Sequence, residues 1–225
     1  PYSNSIVELE MLYHKLYNFN TCSLDRREYI MKTIIIEEKK LRLSSDLSIV
    51  IDSMELQPNI YLVKGKNGSG KSVFLRHLAK LTKESESFIK NGSQNILYLT
   101  NEEVTFPNLT IEENLRINQD IFGITASLKT SLFLPEQLTR LCKQASVGMR
   151  HKVGLSLTVE PLFWDLIILD ETMSNIDSSS RKQVLKELNK RRKEGTIILI
   201  VDHNLTDEET KFKCIVVEEG KIYER

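Results

Sequence analysis

Gly65, Gly70, Lys71 and Ser72 are spaced as G-x-x-x-x-G-K-[ST], within the stretch VKGKNGSGKS at 63–72. That pattern suits an anion with several oxygens. Glycines let successive backbone N–H groups turn inward, where side chains would block a close approach. A helix starting at Lys71 would add positive potential at its N-terminus, about 0.3–1 kcal/mol for a nearby anion. The phosphate-binding candidates are therefore Gly65, Lys66, Asn67, Gly68, Ser69, Gly70, Lys71 and Ser72, with Val73 just beyond. Lys71 would pair with the β- and γ-phosphates of a nucleotide, and the Ser72 hydroxyl would reach a Mg²⁺ ion. A glycine turn with a surface lysine is the bland alternative. The apolar run before the loop and the helical pattern after it favour phosphate.

A second group of residues carries different chemistry. LIILDE, 166–171, is an apolar run that ends in two carboxylates. Unpaired buried carboxylates are costly, so such a run delivers them to a cation or to solvent at its end. Asp170 suits Mg²⁺, and Glu171 is placed to polarise an attacking water. An acidic strand end is common and acquires meaning only beside the glycine loop.

Both groups need a frame. Thr33–Glu38 and Leu47–Leu56 read as strands, the second alternating at Leu47, Ile49 and Ile51. Ile60–Lys64 is a short strand feeding the loop, and Lys71–Leu81 is a helix with Val73, Leu75, Leu78 and Leu81 as apolar positions. Ile96–Thr100 is another strand. Thr110 and Glu113 form a capping box for a helix, and a mostly helical stretch runs to about Val159, interrupted near Gly123 and Pro135. Asp165–Leu169 is a central strand, Asp177 caps a long polar helix to about Lys193, and Thr196–Val201 is a buried strand. Cys214–Glu218 and Lys221–Glu224 form a closing hairpin around Glu219-Gly220. Strands alternating with helices imply an α/β fold, its sheet largely parallel and covered on both faces.

The composition narrows the class. Lys+Arg and Asp+Glu both number 31 in 225 residues, so zero net charge argues against a surface built to hold nucleic acid. Cys22, Cys142 and Cys214 lack metal-ligand spacing and read as reduced cytosolic thiols. No apolar run is long enough to span a bilayer, so any membrane span belongs to another chain. Residues 1–30 begin at Pro1, are rich in Tyr and Asn, and read as an N-terminal extension in which Ile6–Tyr17 is roughly amphipathic. Met31 opens the patterned region.

From Met31 to the C-terminus the chain resembles the ATP-binding subunit of an ABC transporter. GKNGSGKS is similar to that family's GPNGSGKS, and 98–115 resembles its YLPQE…LFPxLTVxENL stretch. ILDETMSNID, 168–177, resembles LLDEPTSNLD; LIVDHN, 199–204, resembles IIVSHD; the ending resembles LxxGKI. The resemblance implies a P-loop NTPase of ABC-ATPase type over 31–225, with an N-terminal antiparallel β part and a helical subdomain inserted at about 102–159. It further implies ATP and Mg²⁺ as ligands, hydrolysis with Glu171 as base and His203 near the γ-phosphate, and a head-to-tail homo- or heterodimer. A separate membrane-spanning subunit would carry the cargo, and this chain would sit at the cytoplasmic face of the membrane. Brevity points to a small exporter or a transporter handling antimicrobial peptides.

Four departures qualify the resemblance. The signature LSGGQ is replaced by ASVGM at 145–149, so Ser146 and Gly148 are the candidate contacts to ATP held by the opposite subunit, and Val147 stands where a glycine is expected. The family's metal-side glutamine falls on Asn101, one methylene shorter. Thr172 and Met173 replace a Pro-Thr pair, and no aromatic between Met31 and Ile60 is available to stack on adenine. Two other readings stay open: a soluble ABC-type ATPase not tied to transport, and a nucleotide-sensing module with little turnover.

Overall fold

The computed structural model describes residues 33–42, 48–82, 85–90, 95–103, 105–160, 164–205 and 212–225, and for Glu86 the backbone alone. The N-terminal extension, with Cys22, lies outside the described residues. The chain begins with β1 (Ile34–Ile36), β2 (Lys39–Arg42), β3 (Ser48–Ile51), β4 (Met54–Leu56) and β5 (Ile60–Lys64). It continues through α1 (Lys71–Leu78), β6 (Ile89–Lys90), β7 (Ile96–Leu99), α2 (Ile111–Ile121), α3 (Pro135–Leu138) and α4 (Val147–Leu155). It closes with β8 (Leu166–Asp170), α5 (Ser178–Lys193), β9 (Ile197–Val201), β10 (Lys213–Glu218) and β11 (Lys221–Glu224).

The central sheet has eight strands in the order β2-β3-β11-β10-β5-β9-β8-β7. From β10 to β7 every neighbouring pair is parallel. β10–β11 and β2–β3 are antiparallel. The other named strands form a separate antiparallel sheet, β4-β1-β6. The parallel strands run apolar throughout because both faces are covered. Along β8, Ile167 and Leu169 join the core shared with α4 and α5, while Leu166 and Ile168 join the core shared with α1 and the small sheet. β9 and β5 alternate in the same way, so one period-two pattern seats the sheet between two cores.

The expected Leu47–Leu56 strand is two strands belonging to different sheets. β3 pairs with β11 and β2, whereas β4 pairs with β1. The break at Asp52-Ser53 lets one continuous apolar pattern serve both sheets, which alternation alone does not reveal. The short strands β2 and β6 escape sequence reading because neither has an apolar period of its own.

The segment from 102 to 159 is less helical than its pattern implies. The expected capping box is present: Glu113 N donates to Thr110 Oγ1 at 3.2 Å, and Thr110 N donates to Glu113 Oε2 at 2.7 Å. Residues 122–134 are not helical, and Pro135 opens α3 instead of interrupting a helix, since proline at a first helical position forfeits no hydrogen bond. Phe122 and Leu132 are core and Ile124 packs on it, but Leu134 is 58% exposed. Trp164 is fully buried, edge-on to Phe122, and donates to Leu157 O at 3.1 Å. α5 starts where Asp177 accepts from Ser180 N at 2.8 Å, and it buries Val184 and Leu188 as expected of a solvated outer helix.

Candidate nucleotide site

Parallel pairing brings the candidate residues to one edge of the sheet. The register Leu169↔Leu99, Asp170↔Val201 and Leu62↔Ile200 aligns the C-terminal ends of β7, β8, β9 and β5. Each end delivers one candidate: the 65–70 loop after β5, Asn101 after β7, Asp170 and Glu171 at β8, and His203 after β9. Open α/β sheets bind ligands at this edge.

The loop is shaped by its surroundings. A Cβ on Gly65 would lie 2.3 Å from Val217 O and 2.7 Å from Ser69 Oγ, so only glycine fits. Gly70 precedes α1 with φ 106°, a left-handed conformation that glycine adopts readily. Lys71 is buried and donates to Gly65 O at 2.9 Å and Lys66 O at 3.1 Å. Its ammonium has three donors, so these bonds aim it under the loop while leaving capacity for a phosphate oxygen. Ser69 Oγ is buried without a hydrogen-bond partner among the described residues. Lys66, Asn67, Gly68 and Ser72 are exposed, and Val73 is half-buried. A cradle that only glycine fits, an orphan hydroxyl and a buried ammonium together match a polyphosphate.

Asp170 is 8% exposed, and burial pushes its carboxyl above the ordinary range, against the hydrogen bonds of Ser72 and Tyr98 and the nearby Lys71 charge. Tyr98 donates to Asp170 Oδ2 at 3.2 Å. A desolvated carboxylate beside a serine hydroxyl is a donor set that suits a hard cation. Asp170 and Ser72 therefore fit Mg²⁺, with Asn101 on the adjoining loop.

Glu171 stands at φ 61°, an uncommon backbone for a side chain of its kind, costing about 1–3 kcal/mol. Its N–H donates to Val201 O at 2.9 Å, which holds the turn. The carboxylate then points back to His203, whose Nε2 lies 3.3 Å from Oε1. Their side chains remain 38% and 54% exposed, open to a water and to a phosphate. The turn is further fixed by Arg181, which donates to Met173 O at 2.7 Å and pairs with Asp202 at 3.1 Å.

Ser146 and Gly148 lie at the start of α4. Ser146 is exposed and accepts from Met149 N at 3.2 Å as the helix cap. Gly148 is fixed by packing, since a Cβ there would lie 2.2 Å from Asn175 O. Val147 between them is 45% exposed. Further along, Val153, Leu155 and Leu157 are fully buried. Lys152, also buried, donates to Asp177 Oδ2 at 3.3 Å and ties α4 to α5. Tyr98, Arg181, His151 and Lys152 were not singled out as site residues. Their partners lie 8 to 72 positions away, outside the element that carries each residue, and leave no local signal.

Strand order, glycine loop and acidic strand end together define the class, an α/β protein of the P-loop type with a candidate polyphosphate site. The comparisons then give the family. The family model described as ABC transporter matches residues 52–174, more than half the chain, and the chain belongs to that family. A bacitracin transport ATP-binding protein from Bacillus licheniformis is 30% identical over 187 residues, covering 75% of this chain and 60% of the relative. An energy-coupling factor transporter ATP-binding protein from Methanosarcina acetivorans is 28% identical, over 71% and 66%. The chain thus spans less than two thirds of these relatives' length. A lantibiotic transport ATP-binding protein from Streptococcus pyogenes is 28% identical, over 72% of this chain and 76% of the relative. A solved ATP-binding subunit of an ABC transporter superposes with a TM-score of 0.64 at 18% identity, covering 85% and 89% of the two chains. The family's ATP-binding domains are ATP hydrolases that drive transport.

Proposed function

We propose that this chain hydrolyses ATP to drive transport through a separate membrane-spanning subunit. The observation that carries the reading is the convergence of Lys71, Ser72, Asp170, Glu171 and His203 at one sheet edge, on three different strand ends. The loop at 65–72 holds the phosphates. Lys71 neutralises their charge, and Glu171, steadied by His203, orients the attacking water and takes its proton. Mg²⁺, held by Ser72 and Asp170 with Asn101 nearby, would supply charge neutralisation at the β- and γ-oxygens. The ATP-binding domain is 31–225, its helical subdomain about 102–159, and residues 1–30 are an extension.

Ser146 and Gly148 serve the ATP of a second subunit in a head-to-tail homo- or heterodimer, with no part for nucleic acid. No helix among the described residues is long and apolar enough to cross a membrane; the proposed place is peripheral, at the cytoplasmic face beside a membrane partner. The relatives' names span bacitracin transport and methionine import, so what they share is the nucleotide chemistry. The exposed Val147 favours a second reading, a heteromeric pair in which the site completed by this chain's α4 turns over slowly. Calorimetric titration of the purified chain with Mg-ATP tests the central reading. Heat of binding is expected, and Lys71→Ala should weaken it ~100-fold or more, the loss of charge-assisted hydrogen bonds worth ~1.5–3 kcal/mol each. Unchanged affinity in that variant overturns the assignment.

A further inference from the structure

A cavity of about 20 Å³ lies between the segment after β7, the middle of α4 and the turn after Glu171, lined among others by Thr100, Glu103, Arg150, His151 and Thr172. Two of the lining residues carry a buried side-chain atom with no hydrogen-bond partner among the described residues, His151 Nδ1 and Thr172 Oγ1. Both side chains are deeply buried, at 6% and 3% exposed. His151 Nε2 lies 3.1 Å from Asn101 O. A carbonyl only accepts, so Nε2 carries the hydrogen and Nδ1 of the neutral ring is an acceptor. Thr172 Oγ1 can both donate and accept.

Two of the charged side chains in the cavity wall are engaged with each other. Arg150 pairs with Glu103 and donates to Ala145 O, so no free guanidinium waits for an anion. The volume matches one water, which needs roughly 10–15 Å³ and two to four polar partners. Thr172 stands where the family pattern has proline, and proline has no hydroxyl to offer.

We propose that one water is bound between His151 Nδ1 and Thr172 Oγ1. Through it, His151 is a positioning residue that ties α4 both to the Asn101 carbonyl and to the turn bearing Glu171. Glu171 holds a strained backbone, so a bridge at its next residue limits how far that turn relaxes. The functional half of this inference rests on the hydrolytic reading above; the structural half does not.

The test uses the full chain. A crystal structure should show ordered density within hydrogen-bond reach of both atoms, and a dry or collapsed cavity overturns the proposal. Thr172→Val, His151→Phe and the double variant are then unfolded in urea. A shared water predicts that the double variant loses little more than the worse single one, whereas additive losses show the two side chains act independently and overturn it. In steady-state ATPase assays, each single variant should lower kcat up to roughly tenfold with KM unchanged, the size of one lost hydrogen bond. His151→Gln, which keeps a donor and an acceptor, should recover most of that rate. A change confined to KM, or no recovery with Gln, overturns the positioning role. Absence of hydrolysis by the unaltered chain would sink the enzymatic reading instead, leaving density and additivity to decide the water.

Discussion

The glycine loop at 65–70 and the glycine at 148 are both held by the protein's own backbone, but position 147 is not. Gly65 is forced by Val217 O and Gly148 by Asn175 O, each of which a Cβ would strike. Val147 stands in the first turn of α4 and is an exposed large apolar side chain. Residues required by the fold itself are thus retained in both regions. Of the departures from the family pattern in ASVGM, Ala145 and Met149 are taken into the core, and Val147 alone is exposed, where a partner would meet it. Folding and partner contact place separate demands on neighbouring residues, and the ASVGM segment separates them.

The sharpest way to break this contrast is at Glu171. Glu171→Gln should leave Mg-ATP binding intact, trap an ATP-bound dimer and lower kcat at least ~100-fold, the usual range for a group that handles the proton. Turnover at the normal rate would move the chemistry elsewhere. Gly148→Ala comes next, with a loss of about 1–3 kcal/mol in urea unfolding from the overlap with Asn175 O. An unchanged midpoint would show that Gly148 is not fixed from within. Val147→Gly should cost at most ~1 kcal/mol of stability, yet raise ATPase activity of the assembled pair. If that rate stays flat, the valine imposes no limit on the clamp.

The smallest effect is at Asp177, which joins the two helices behind the ASVGM segment. The Ser180 N–H, then the Ser180 hydroxyl and Lys152, hold its carboxyl down at about 2 against an ordinary 3.8. A lowered value in the folded state means stability that is present above 3.8 and lost as pH falls toward 2. Because the side chain is half exposed, the loss is modest. Asp177→Asn keeps the cap and should flatten that part of the Tm-against-pH curve. An identical slope in both proteins would rule Asp177 out as its source.

The short-range arrangements were legible in the sequence. A glycine loop between a strand and a helix, a capping box at Thr110 and an Asp177 cap are short-range arrangements, fixed by residues at most a few places apart. β5 and α5 fall where the local pattern places them, and so do Lys71, Ser72, Asp170 and Glu171. Tyr98 on Asp170, Arg181 on Asp202 and His151 on Asn101 were not legible, since each joins residues on separate elements. The split of Leu47–Leu56 was hidden for the same reason, as both halves alternate alike and only their pairing partners differ.

The sequence by itself determined which groups can meet a phosphate and which runs alternate well enough to be buried, because dihedral preference, side-chain period and capping act over one or two turns of chain. Tertiary structure alone decided that four strand ends share an edge, that Glu171 turns back toward His203, and that Gly148 is locked while Val147 is exposed. Those outcomes depend on sheet order and on close packing between distant segments, which no local pattern encodes.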